Sequence, residues 1–271
     1  MTSDYFRQRR LIGFRTLFQI ILIGLCMAAP AAWPGALPAE TKLVSQIRRV
    51  RSSIVAVGTY YFKDTPKLRY HGTGFAVGDG TLVITNAHTI ARVEEEKRLK
   101  QLRVFHQEFH SRGLRVSLLK RDEEHDLAVL KMQEGFLPPL KLADSGTVQE
   151  GEEVAFTGYP IGLVLGLHPS THAGIISAIS PIVLPSPTAR TIKKEIVELL
   201  RRPYKVFQID ATAYPGNSGS PVFRISNGEV IGIVNMVFVK GKKENLLKEP
   251  SGITYAIPAN FARSLIEGYG Q

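Results

Sequence analysis

Cysteine is almost absent from this chain: its 271 residues hold a single one, Cys26. An internal disulfide needs two thiols and the usual structural zinc sites need several, so both are excluded. Long apolar runs are also scarce. The longest, Leu17 to Ala29, is short for a stable membrane span. Acidic charge is in deficit, with 34 Lys and Arg against 24 Asp and Glu. The formal excess of +10 falls to +7 once the four Arg and one Asp before residue 40 are set aside. The basic clusters at Lys97 to Arg103, Lys193 to Lys205 and Lys240 to Lys248 have no aromatic residues interleaved in a stacking pattern. Nucleic acid is therefore not the expected partner. A solvated basic surface is expected, with attraction to anionic membrane lipid or cell wall left open.

The opening segment has the layout of an export signal. Arg7, Arg9, Arg10 and Arg15 precede the apolar run, and small residues and prolines follow up to Ala39. An uncleaved anchor is the alternative, since no single cleavage site stands out between Ala28 and Ala39. Leu25 before Cys26 is too large for a lipoprotein signal. A periplasmic or secreted location follows, with residues 40–271 depending on their core alone for stability. Hydrophobic content of 44% is enough for one domain or two small halves.

Chemistry is concentrated in Tyr214-Pro215-Gly216-Asn217-Ser218-Gly219-Ser220-Pro221. A serine between two glycines, on a turn flanked by apolar strand-like runs, suits an exposed nucleophile. A serine hydroxyl is weak until a base takes its proton, and the base needs an orienting acid. Thr85-Asn86-Ala87-His88 closes one apolar run, and Asp126-Leu127-Ala128-Val129-Leu130-Lys131 opens another. The chain order His88, Asp126, Ser218 is one of the known orders for such a triad.

With these motifs the chain resembles the chymotrypsin-like (trypsin-like) serine proteases, and among them the HtrA/Deg type. Further matching pieces are Gly72-Thr73-Gly74-Phe75, Gly158-Tyr159-Pro160, Gly174-Ile175-Ile176-Ser177-Ala178, Gly228-Glu229-Val230-Ile231-Gly232-Ile233 and Tyr255-Ala256-Ile257-Pro258. They run in the family's order from about residue 50 to 265. The resemblance implies a serine endopeptidase that reads unfolded or extended protein segments, as in envelope protein quality control, and that needs no cofactor and no metal. It also implies an all-β fold of two six-stranded antiparallel barrels with a C-terminal helix.

Composition agrees with an all-β reading, since short β-branched runs are punctuated by Gly, Pro and Asn. The expected strands are Ser53 to Phe62, Gly72 to Val77, Thr81 to Thr85, Leu102 to Phe109, Leu114 to Leu119 and Leu127 to Met132. A second set covers Val154 to Gly158, Thr171 to Ile179, Val206 to Ile209, Gly219 to Ile225, Val230 to Val239 and Ile253 to Ala256. A helix from Pro258 to Glu267 closes the chain, with proline at its start. Three parts result: residues 1–39, a first barrel over 40–137 and a second over 138–271. No internal repeat is visible.

Carried over residue by residue, the resemblance makes Ser218 the nucleophile, His88 the general base and Asp126 the residue that orients it. The backbone N–H groups of Gly216 and Ser218 form the oxyanion hole. Ser220 stands where the family commonly has glycine. Thr212 and Ala213 are placed on one wall of the substrate pocket and Val234, Asn235 and Met236 on the other. None is acidic, so a small or medium apolar P1 side chain is expected. The strand Ile233 to Val237 could pair with an extended substrate. His71, His106, His110, His125, His168 and His172 are read as structural. His125 beside Asp126 resembles half a metal site but has no close second ligand pair. Asp122, Asp144 and Asp210 do not open an apolar strand as Asp126 does.

Two departures from the family pattern stand out. Gln271 closely follows the expected closing helix, so no PDZ domain is expected. An insert over about 181–205 carries a helix expected from Thr191 to Arg202, ended by Pro203, that is either packed on the second barrel or a movable lid. A catalytically silent binding module and a general esterase on the same triad are the other function classes weighed. Substrate identity, activating signal and oligomeric state are not legible.

Overall fold

The computed structural model describes residues 41–106, 112–160, 168–182, 203–235 and 252–269. The export signal expected over residues 1–39, the helix expected from Thr191 to Arg202, and Met236 lie outside that set. Twelve strands are present: β1 Ile54–Tyr60, β2 Leu68–Val77, β3 Leu82–Thr85, β4 Leu102–Phe105, β5 Leu114–Asp122, β6 Leu127–Met132, β7 Glu153–Gly158, β8 Ser170–Pro181, β9 Lys205–Asp210, β10 Pro221–Arg224, β11 Val230–Asn235 and β12 Ile253–Pro258. They close into two six-stranded antiparallel barrels, in neighbour orders β1-β2-β3-β6-β5-β4 and β7-β8-β9-β12-β11-β10. The second order repeats the first strand for strand, although the two halves share no visible sequence repeat.

Side-chain alternation explains how short apolar strands build this arrangement. Successive residues of a strand point to opposite faces. In β1, Val55 and Val57 fill the first barrel, whereas Ile54 and Ala56 face outward. The outward set joins Phe75, Leu82, Ile84, Leu127 and Val129 with Phe223, Ile233 and Ile257 of the second barrel in one cluster between the two. The second barrel has its own core of Val154, Phe156, Ile176, Ile209, Val222 and Ile231. Strands buried on both faces read as continuous apolar runs, which is how they look in the sequence.

Among the described residues, three α-helices accompany the barrels: α1 Lys42–Arg51, α2 Ala87–Glu95 and α3 Ala259–Ile266. The last falls where the closing helix is expected. The other two are additions to the sequence reading. Thr41 caps α1, its hydroxyl accepting from Val44 N at 3.4 Å. Leu43 and Val50 of α1 pack against the cluster between the barrels. In α2, Ala87, Ile90 and Val93 are buried at intervals of three.

Several expected strand ends shift. β2 begins at Leu68, and β8 runs to Pro181, where it pairs with Lys205. Pro181 and Lys205, the two ends of the expected insert, thus belong to barrel strands. Gly219 and Ser220 lie in the turn before β10. Of the expected strand Leu102 to Phe109, residues 102–105 form β4.

Candidate active site

His88 does not end a strand, as the sequence suggested: it occupies the second position of α2, with Asn86 as N-cap. The first N–H groups of a helix have no partners within it. Here the first two are satisfied by one residue almost forty positions away. Ala87 N donates to the Asp126 carbonyl at 3.1 Å, and His88 N donates to Asp126 Oδ1 at 2.8 Å. Asn86 makes no side-chain cap of its own. Its amide donates instead to the Asp126 carbonyl at 3.0 Å. A carboxylate there also complements the positive end of the helix dipole.

The same carboxylate holds the imidazole. Asp126 Oδ2 lies 2.6 Å from His88 Nδ1 and accepts the Asn235 amide at 2.8 Å. Asp126 has φ +53, left-handed backbone that aspartate tolerates better than most residues. With Nδ1 engaged, Nε2 is the ring atom left to exchange a proton. It makes no hydrogen bond among the described residues, so the Ser218 hydroxyl is not bonded to it in this structure. Such contacts often tighten only when substrate binds.

Ser218 sits on the facing turn and is 4% exposed. That turn is closed by Asn217 N donating to the Tyr214 carbonyl at 2.9 Å, with Pro215 and Gly216 in its middle positions. Gly216 has φ +103. Proline second and a positive-φ glycine third define a type II turn, which fixes the plane of the Pro215–Gly216 peptide. Among the described residues, neither Gly216 N–H nor Ser218 N–H has an acceptor. Unsatisfied backbone donors at and just before a serine are the kind of group that can bind an oxyanion.

The turn and the His–Asp pair meet through β11 and β2. Val234 accepts from Gly219 N at 3.0 Å and donates to the Ser220 carbonyl at 2.9 Å, and the next residue, Asn235, reaches Asp126. From the other side, Thr73 N donates to the Ser218 carbonyl at 2.8 Å.

The expected substrate pocket fares differently. Thr212 is half-buried, whereas Ala213 and Val234 belong to the core of the second barrel. Asn235 is fully buried and its side chain faces Asp126, not a pocket. That role could not be read from its neighbours in sequence.

Among the remaining histidines, His125 and His172 pack against aromatic rings. His125 bonds Asp122 through Nδ1 at 2.7 Å and stacks on Phe261 at 3.7 Å. His172 stacks on Phe156, and burial pushes its pKa down, as burial does for His71. Among the described residues no group of three or more His, Cys, Asp and Glu is placed to hold a metal ion.

A family model described as a trypsin-like peptidase domain matches residues 72–233. The chain is similar to mitochondrial serine protease HTRA2 of Drosophila pseudoobscura pseudoobscura, 30% identical over 207 residues, covering 76% of this chain and 41% of that protein. It is also similar to a probable periplasmic serine endoprotease, DegP-like, of Halomonas elongata, 32% identical over 197 residues, covering 72% and 34%. The chain thus spans about two-fifths or less of the length of these curated relatives. Among solved structures, the HtrA-type protease AlgW with a tripeptide matches at a TM-score of 0.59 and 24% identity, over 84% of this chain and 64% of that one. This last likeness concerns the fold.

Proposed function

The chain belongs to the trypsin-like peptidases, of the HtrA type, and on that premise we propose that it is a serine endopeptidase working through His88, Asp126 and Ser218. The observation that carries the reading is the His88–Asp126 pair, held at 2.6 Å by a carboxylate that also accepts from His88 N and from Asn235.

Ser218 Oγ attacks the carbonyl carbon of the scissile peptide while its proton passes to His88 Nε2. The carbonyl π electrons move to oxygen, and the N–H groups of Gly216 and Ser218 receive that oxyanion. Collapse re-forms the carbonyl and breaks the C–N bond, the amine leaving with the proton from Nε2. Water then repeats the sequence on the acyl-enzyme, its proton passing through His88 and back to Ser218. Asp126 fixes the tautomer with Nδ1 protonated and stabilises the imidazolium that forms. The general resource is a pre-aligned, partly water-excluded dipole set.

Extended or unfolded segments are the substrate class, with a small or medium apolar P1 residue, because no acidic residue stands at the positions that the family pattern assigns to the pocket. The periplasmic relatives and the leader-like residues 1–39 support export and a role in envelope quality control. The test is cleavage of casein by the wild type and by Ser218→Ala. Cleavage lost in the variant supports the reading, and cleavage retained overturns it.

A further inference from the structure

We infer that Thr73, on β2 of the first barrel, is a positioning residue that sets the nucleophile turn of the second barrel in register with His88. This deepens the proposed reading and rests on Ser218 being the nucleophile.

Every polar atom of Thr73 is committed. Its hydroxyl donates to the Gly216 carbonyl at 2.7 Å and accepts from Tyr159 N at 3.0 Å. Its N–H donates to the Ser218 carbonyl at 2.8 Å, and its carbonyl accepts from the Thr85 hydroxyl at 2.7 Å. The residue is fully buried. Thr73 therefore grips the turn at Gly216 and again at Ser218, bracketing Asn217. Thr85 ends β3, three residues before His88, so one residue joins the lead-in of the base to the backbone of the nucleophile. The fit is close: a Cβ on Gly219, whose φ is +88, would lie 2.0 Å from the Thr73 carbonyl oxygen.

The hydroxyl is the informative part. A backbone N–H at this position exists whatever the side chain, but only Ser or Thr can donate to Gly216 and accept from Tyr159 together. Fixing the Gly216 carbonyl fixes ψ of Gly216, and with the type II turn it holds both sides of the residue that carries one of the two unsatisfied donors. Tyr159 anchors the hydroxyl from the second barrel. The contact thus spans the seam between the barrels, where the base and the nucleophile must be brought together without a covalent link.

Thr73→Val keeps the shape and removes both hydroxyl bonds. Displacing catalytic groups by about 1 Å can cost on the order of 10²-fold, so kcat for a peptide substrate is expected to fall between about 10- and 100-fold with KM little changed. Acylation of Ser218 by a fluorophosphonate should slow in parallel, and Thr73→Ser should restore most of both rates. A Thr73→Val rate within threefold of wild type overturns the proposal, as does a Thr73→Ser variant equally slow. Should Thr73→Val not fold, Thr85→Val carries the test, because it releases the Thr73 carbonyl from β3; a several-fold loss supports the proposal and an unchanged rate overturns it. A wild type that does not react with the fluorophosphonate would instead refute the endopeptidase reading on which this one rests.

Discussion

Asn235, in the last position of β11, donates its side-chain amide to Oδ2 of Asp126 at 2.8 Å, the oxygen that also holds His88. The first barrel carries Asp126 and His88, and the second carries both the Ser218 turn and the amide that bonds Asp126. A chain of fixed bonds thus runs from Gly219 and Ser220, next to Ser218, through Val234 and Asn235 to Asp126 and His88.

Asn235→Ala should therefore cost activity without abolishing it. A hydrogen bond to a charged group contributes about 1.5–3 kcal/mol, so kcat/KM is expected to fall roughly 10- to 100-fold. Asn235→Asp should be worse, because a second carboxylate would face Asp126 in a half-buried site. Peptide hydrolysis compares the three proteins. An Asn235→Asp variant faster than Asn235→Ala would contradict the assigned contact.

Most strands are legible because their signal is local, continuous apolar runs such as β1 and β6 bounded by turn residues, and the short motifs around His88, Asp126 and Ser218 carry the family resemblance. What escaped is non-local. The start of α2 was hidden because Asn86 does not cap it with its own side chain; Asp126 does so instead. The buried spacing of Ala87, Ile90 and Val93 was the available clue. Asn235 looked like a pocket residue because its partner is 109 positions away. Thr73 lies inside a matched motif, but its bonds to Gly216 and Tyr159 exist only once two barrels meet.

Ser220 gives a prediction of opposite sign. Its hydroxyl is buried and makes no hydrogen bond among the described residues. A buried hydroxyl without a partner costs stability, and removing it is neutral or favourable. Ser220→Ala should unfold at the same temperature as the wild type or a few degrees higher, by calorimetry. A loss beyond about 1 kcal/mol would mean that the hydroxyl has a partner in solution.

Stability should also respond to mild acid. His71 and His172 both have pKa values pushed below the ordinary imidazole value of 6.5, chiefly by burial. The unfolded chain then binds more protons than the folded one, so stability rises with pH through this window and is fully present above about 6.5. It should decline as pH drops from 6.5, before the carboxylates held low by hydrogen bonds, Asp79 and Glu229, are protonated at still lower pH. Unfolding midpoints between pH 7.5 and 5 measure this. A His71→Asn/His172→Asn double variant should show a flatter profile, and an equally steep one would contradict the assignment.

Because the triad acts as a unit, His88→Ala and Ser218→Ala should each lose on the order of 10⁴-fold or more in kcat, with the double variant little worse. Strict additivity of the two losses on casein would argue against a shared mechanism.

The central claim is that Ser218 is a nucleophile activated by His88. Mass spectrometry after treatment with a fluorophosphonate tests it most directly. The account predicts one adduct per chain, on the peptide carrying Gly216-Asn217-Ser218-Gly219, absent from Ser218→Ala and strongly slowed in His88→Ala. No adduct on the folded wild type, or an adduct that persists in Ser218→Ala, would contradict it.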